Sequence, residues 1–173
     1  MSPRDLLINQ SQASYKELLD SLDGVSEALS WAAPKVNEGD YLHTEGILSA
    51  VIHVAGCKVM YGSAAFRDLE LRWRDVKARI DPFWPSLDGA KAYLQESQEY
   101  WLSTWADETD FERTVKTNWN ADWPAWKVIW MVTHHDAYHT GQIQMLRSTL
   151  KPSDMPPPSE TDTWEAHASP YSW

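Results

Sequence analysis

The chain contains 173 residues, with 15 lysines and arginines against 25 aspartates and glutamates, and its formal net charge is −10. This balance lacks the basic surface that a nucleic-acid backbone requires, so we expect no nucleic-acid partner. The length predicts one domain that folds without metal or disulfide cross-links, and the single cysteine fits a reducing compartment, which favours a cytoplasmic location.

The sequence also predicts no membrane partner. Its first residues, MSPRDLLINQSQ, lack the basic and apolar regions of a signal peptide. The most apolar stretch, residues 46–62, is interrupted by His53 and Lys58 and falls short of the ~18–20 apolar residues that span a bilayer.

Helical periodicity dominates the first part of the chain. Apolar residues recur with 4-3-4 spacing, which forms one stripe of a helix, at Leu18, Leu22, Val25 and Leu29. We predict a first helix from Pro3 to Ala32, interrupted or loosened near Gly24. The second helix is expected from Thr44 to Phe66, with Thr44 as a candidate N-cap.

The second part of the chain predicts two more long helices. The linker over residues 67–86 is long for a helix connection, so we expect it to carry a short helix and to cross the bundle. The third helix is expected from Leu87 to Asp107. The fourth is expected from Trp123 to Leu150, with Asp122 as N-cap and Pro124 in the first helical position. No segment shows the alternating pattern of a strand.

These elements predict an all-α fold, a four-helix bundle with a long crossover between helices two and three. This crossover makes helices two and three parallel, in an up-down-down-up arrangement. The bundle domain is expected over residues 1–150. Residues 151–173 hold five of the ten prolines and are expected to form an irregular tail.

A histidine pair marks the fourth helix. His135 and His139 are four residues apart and, at ~100° per residue, lie on the apolar face of this helix, whereas His134 points away from it. Two imidazoles with this spacing can share one metal ion. The alternative is a polar network in which each ring hydrogen-bonds to a neighbouring helix.

A third histidine on the second helix favours the metal interpretation. His53 lies in the apolar run AVIHVAGC, and the residues around it on its own face are mostly small. Those neighbours are Gly46, Ser49, Ala50, Cys57 and Met60. A buried histidine that faces a buried HxxxH pair is the arrangement that a three-histidine metal site requires.

The segment LSAVIHVAG, followed much later by HHDAYHTGQI, resembles the DinB-like superfamily of four-helix-bundle metalloproteins, which includes the YfiT-type proteins. The matching positions are His53, His135, His139, Gly141 and Gln142. The resemblance implies one divalent metal ion, nickel or zinc, on the three histidines. It also implies an open coordination position for water or a thiol. The residue after the last histidine is often basic in this family but is Thr140 here, which removes an anion contact.

Three functions remain open at this point. The first is an enzyme that activates water or a thiol, either a metal-dependent hydrolase or a thiol S-transferase, with a small-molecule substrate and a low-molecular-weight thiol as partners. The second is a metal-stabilised binding or stress-response protein without turnover. In the third, the histidines form only a polar network and the bundle is a dimeric scaffold.

Further polar residues near the histidines have both structural and functional interpretations. Cys57 follows His53 by one turn and is either a fourth ligand or nucleophile, or, as we favour, a small buried hydrophobe. Gln142 is a candidate to orient a ligand imidazole. The remaining candidates are expected in packing or in solvent: Asp136, Tyr138, His43 and His167.

The eleven tryptophans predict a second apolar face on the fourth helix. Trp123, Trp126 and Trp130 recur with 3-4 spacing on the side opposite the histidines. Either another part of the chain covers this face, through Trp84, Trp164 or Trp173, or the face forms a homodimer contact. Trp101 and Trp105 are expected inside the bundle.

Overall fold

The computed structural model describes residues 2–32, 46–84 and 86–151. In these ranges the helices are α1 (Pro3–Asp20), α2 (Glu27–Ser30), α3 (Ile47–Phe66), α4 (Trp73–Ile80), α5 (Leu87–Trp105) and α6 (Ala125–Thr149). Two short strands, β1 (Thr114–Lys116) and β2 (Asp122–Pro124), form an antiparallel pair. The all-α prediction is confirmed, with four long helices as the frame.

The predicted first helix is two helices. Ser2 and Asp5 form a capping box at the start of α1, which ends at Asp20. Gly24 then adopts φ +75°, a left-handed conformation that glycine accommodates without strain, and α2 follows. The predicted interruption near Gly24 is therefore confirmed, and the second part ends at Ser30 instead of Ala32.

The long helices run up-down-down-up. A β-carbon on Gly62 of α3 would lie 3.1 Å from Thr104 of α5, so the C-terminal ends of these two helices are adjacent and the helices are parallel. The hydroxyl of Ser14 on α1 donates to the carbonyl of Thr133 on α6, at 2.8 Å. Tyr61, late in α3, lies near Trp119, which precedes α6. His53, earlier in α3, lies near His139, further along α6, so α3 and α6 are antiparallel.

The crossover between α3 and α5 carries α4 and a 3-10 turn at Asp81–Phe83, as the linker length predicts. Val76 and Ile80 of α4 are buried against the bundle. The hydroxyl of Ser63 donates to the carbonyl of Leu71 and accepts from its N–H, which attaches the crossover to α3.

A small β-hairpin precedes α6, and here the sequence-based expectation of no strands is wrong. Val115 pairs with Trp123, and Asn120 takes a positive φ in the turn between the strands. Asp122 therefore lies in β2 and is not an N-cap; α6 begins at Ala125 with Pro124 as its N-cap. Strands of three residues are too short for a period of two to be visible in the sequence.

Several predicted boundaries move by a few residues. Gly46 is the N-cap of α3, and α5 ends at Trp105 instead of Asp107. The predicted N-cap Thr44 and most of the predicted tail, residues 152–173, lie outside the described residues. The same applies to His43, His167, Trp164 and Trp173.

Helix α3 is the centre of the core. It is long and apolar enough to cross a membrane, but 83% of its most apolar window is buried inside the bundle, which is typical of the core helix of a soluble protein. Its residues pack against α4, α5 and α6, and they belong to two apolar clusters. Trp101 and Trp105 are buried in the second cluster, as predicted. This central helix carries His53 into contact with α6.

Candidate metal centre

Three imidazoles converge between α3 and α6. His53 Nε2 lies 3.1 Å from His135 Nε2, and His139 Nε2 lies 3.2 Å from the same atom. The ligand atoms of the three histidines all lie within 4.8 Å of one another. The structure therefore brings together the three residues that the sequence predicts as ligands, and they could hold a metal ion.

Two of the three nitrogen–nitrogen distances, 3.1 and 3.2 Å, are close to those between ligands of one metal ion. An imidazole Nε2 carries either one hydrogen or one lone pair, so it forms one good hydrogen bond, yet His135 Nε2 has two imidazole nitrogens beside it. A tetrahedral ion with metal–nitrogen bonds of about 2.0–2.1 Å places its ligand nitrogens about 3.3 Å apart. A cation at the centre would accept a lone pair from each ring.

Gln142 orients one of the rings. Its Oε1 lies 2.8 Å from His139 Nδ1 and, as an acceptor only, it accepts a hydrogen bond from that nitrogen. The proton on Nδ1 leaves the Nε2 lone pair directed at the other two histidines. The prediction that Gln142 orients a ligand imidazole agrees with this contact. Because His139 is also buried, its ring has little freedom to turn.

Cys57 and Tyr61 follow His53 at intervals of four residues, so the three side chains lie on one face of α3. The buried sulfur of Cys57 lies 3.6 Å from His53 Nε2. The pKa of the Tyr61 hydroxyl is raised well above its usual value, first by burial and then by its proximity and hydrogen bond to Cys57. Cys57 is thus a buried side chain, as favoured from the sequence, and it borders the imidazole cluster.

A buried ion pair joins the two helices that carry the histidines. Lys58 Nζ lies 2.5 Å from Asp136 Oδ2, and both side chains are excluded from solvent. Burial raises the pKa of Asp136 and lowers the pKa of Lys58, while the attraction between the two charges opposes both shifts. The expectation that Asp136 serves in packing or faces solvent is therefore wrong. The signal in the sequence was Lys58 within an apolar helix, because a buried lysine requires an acidic partner.

The other polar residues of α6 divide between the site and the surface. Tyr138 is exposed, but its ring lies edge-on to His139 at 5.0 Å, so it borders the site. Thr140 is buried and donates to the carbonyl of Asp136. His134 is exposed and stacks on Trp130, away from the cluster, as predicted.

The tryptophan face of α6 is exposed in the part of the chain that the structure describes. Trp126 and Trp130 are 39% and 47% exposed. Trp84 of the crossover packs on Trp31, which follows α2, with ring centroids 4.8 Å apart. A β-carbon added at Gly141 would have no neighbour within 4 Å. Cover by Trp84 is therefore wrong, and the homodimer contact stays a prediction.

Comparisons with known proteins agree with this architecture. A family model described as the DinB superfamily matches residues 10–143. The crystal structure of an uncharacterized protein from Clostridium difficile 630 is similar, with a TM-score of 0.61 and 14% sequence identity. That match covers 87% of this chain and 99% of the other, and at this identity it shows the fold alone. No curated protein matches the chain.

Proposed function

We propose that this chain, which belongs to the DinB superfamily, is an enzyme that uses one divalent metal ion to activate water or a thiol. The reaction class is a metal-dependent hydrolysis or a thiol S-transfer on a small molecule. One observation carries the proposal: the nitrogens of His53, His135 and His139 meet within 4.8 Å at the interface of α3 and α6.

The donor set supports an open site. Three neutral imidazoles leave at least one coordination position of the ion open, and they do not neutralise its charge. This combination is typical of catalytic centres. A divalent ion there would lower the pKa of a bound water or thiol. Nickel and zinc both accept imidazole, and we propose one of them as the resident ion. His139 is held in place by Gln142, and His135 and His53 are set by their helices.

Metal analysis of protein purified without a histidine tag tests the site. We expect near-stoichiometric nickel or zinc in the wild type and loss of this metal in His139→Ala. The matched control is His134→Ala, because His134 is on the same helix but stacks on Trp130. Wild-type protein that stays metal-free after incubation with nickel and zinc would contradict the proposal, as would equal metal content in the two variants.

Turnover separates an enzyme from a binding or stress-response protein. The metal-loaded protein should consume an electrophilic substrate together with a low-molecular-weight thiol, or hydrolyse an ester or amide, and His139→Ala should not. Full metal occupancy with no product in either assay would favour the metal-stabilised binding protein.

Two further proposals concern the setting of this activity. The exposed Trp126 and Trp130 support a homodimer through the outer face of α6. The single cysteine and the burial of α3 support a cytoplasmic enzyme.

A further inference from the structure

Aromatic rings border the histidine cluster on both helices that build it. The Tyr61 ring lies 6.4 Å from the His135 ring, in an edge-on arrangement. The Trp119 ring lies 5.9 Å beyond Tyr61, also edge-on. On α6, the Tyr138 ring lies 5.0 Å from the His139 ring. A continuous row of rings therefore leads from the surface to the imidazoles.

The two outer rings, Trp119 and Tyr138, are exposed, and contacts of the hairpin hold Trp119 in place. Trp119 is 47% exposed and Tyr138 is 54% exposed. The hairpin turn fixes Trp119, because its ring also packs on Trp123 at 5.2 Å and the Thr117 hydroxyl accepts from the N–H of Ala121. An exposed ring of fixed orientation offers a flat apolar surface without a large cost in conformational entropy.

Among the described residues, the polar groups beside the imidazoles include the thiol of Cys57 and the amide of Gln142. The charges of Lys58 and Asp136 are paired with each other in the core, and Thr140 is buried and bonded to the backbone. The net charge of −10 also disfavours the approach of an anion.

From this arrangement we infer that the substrate carries an aromatic ring, which packs on Trp119 and Tyr61 while its reacting group reaches the three histidines. The inference rests on the proposed function, because the reacting group is taken to occupy the open coordination position. Trp119 is then a specificity-determining residue, and Tyr138 borders the other side of the imidazoles.

The test uses the full chain loaded with Co²⁺, whose visible spectrum reports the ligands of the ion. Imidazole and 4-phenylimidazole are titrated into the loaded protein, because both offer the same donor nitrogen and only one carries an aromatic ring. We expect 4-phenylimidazole to bind about tenfold more tightly, which corresponds to one favourable ring contact.

Variants locate the source of this preference. Trp119→Ala should reduce the ratio of the two dissociation constants towards one, and Trp119→Phe should restore part of it. The control is Trp130→Ala, because Trp130 is equally exposed, at 47%, but lies on the far face of α6. Circular dichroism and the Co²⁺ spectrum without imidazole verify that each variant is folded and loaded.

The outcomes distinguish this inference from the function on which it rests. If imidazole binds and the phenyl ring adds nothing, or if Trp130→Ala lowers the ratio as much as Trp119→Ala, only the aromatic substrate is overturned. If the protein takes up no Co²⁺, or if neither imidazole alters the spectrum of the loaded protein, the open metal site itself is wrong and both proposals fall.

Discussion

Lys58 and Asp136 place opposite charges in the core of the bundle, on the two helices that carry the histidine cluster. Their ion pair joins α3 to α6, and both side chains are buried, where an unpaired charge is strongly unfavourable. Removal of one partner leaves the other buried without compensation, whereas removal of both leaves an apolar contact. The pair therefore fixes how the two ligand-bearing helices meet.

Single and double substitutions should separate these two contributions. We expect Lys58→Met or Asp136→Leu alone to lower the free energy of unfolding by about 3–5 kcal/mol, and the double variant to lose much less than their sum. Urea denaturation followed by circular dichroism measures all three. The control is Lys16→Met, which breaks an exposed pair with Asp20 and should leave stability unchanged. Additive losses in the double variant would contradict a coupled pair.

At the residue scale the metal ligands could be predicted and this ion pair could not. Two of the ligands repeat at helical spacing within one segment, and the third lies in an apolar run, where a buried imidazole without a partner is unfavourable. Asp136 lies beside the pair in sequence but about 100° around the helix, so its surroundings depend on which helix packs there. That neighbour is α3, more than seventy residues away.

At the element scale two glycines show how close packing depends on the neighbouring helix. Both lie inside helices, so both lack the helix propensity of alanine. A β-carbon at Gly62 would lie 3.1 Å from the Thr104 side chain and 3.3 Å from Trp101, which is fully buried. A β-carbon at Gly141 would meet no atom of the described residues within 4 Å.

The same substitution should therefore have opposite signs at these positions. Gly141→Ala should raise the free energy of unfolding by about 0.5–1 kcal/mol through helix propensity. Gly62→Ala should lower it by about 1 kcal/mol, because Thr104 and Trp101 must move apart. Thermal and urea unfolding of the two variants measure the difference. Stabilisation by both would show that α3 and α5 adjust without cost.

Element boundaries were predictable where a local cap or stop exists and not where a tertiary contact decides. Gly24 interrupts the first helix through its own backbone conformation, which is a property of the residue. The hairpin before α6 has strands of three residues, and α3 packs on its first strand, so packing contributes to a structure that local periodicity does not show.

At the scale of the whole molecule, the apolar outer face of α6 bears on the oligomeric state. Trp126, Trp130 and Met145 are exposed there. Surfaces with large exposed aromatic groups suit self-association through a two-fold axis. Because the net charge of −10 makes two copies of the chain repel each other, an apolar face is the surface on which they would associate.

We expect the protein to have twice its chain mass of 19.9 kDa in solution and Trp130→Glu to be a monomer. Light scattering coupled to gel filtration at micromolar concentration measures this. Leu69→Glu is the control, since Leu69 is 48% exposed but follows α3. A monomeric wild type that dimerises when residues 152–173 are deleted would instead show that the C-terminal segment covers the face.

The four long helices, their up-down-down-up order and the three histidines could all be predicted from the amino-acid sequence. Each of these follows from helical spacing or from the length of a connection, which are local properties. Three contacts depend on the packing of the helices: Lys58 meets Asp136, Tyr61 and Trp119 extend from the site to the surface, and Trp84 packs on Trp31. These contacts join residues far apart in the chain, and their partners follow from how the helices pack.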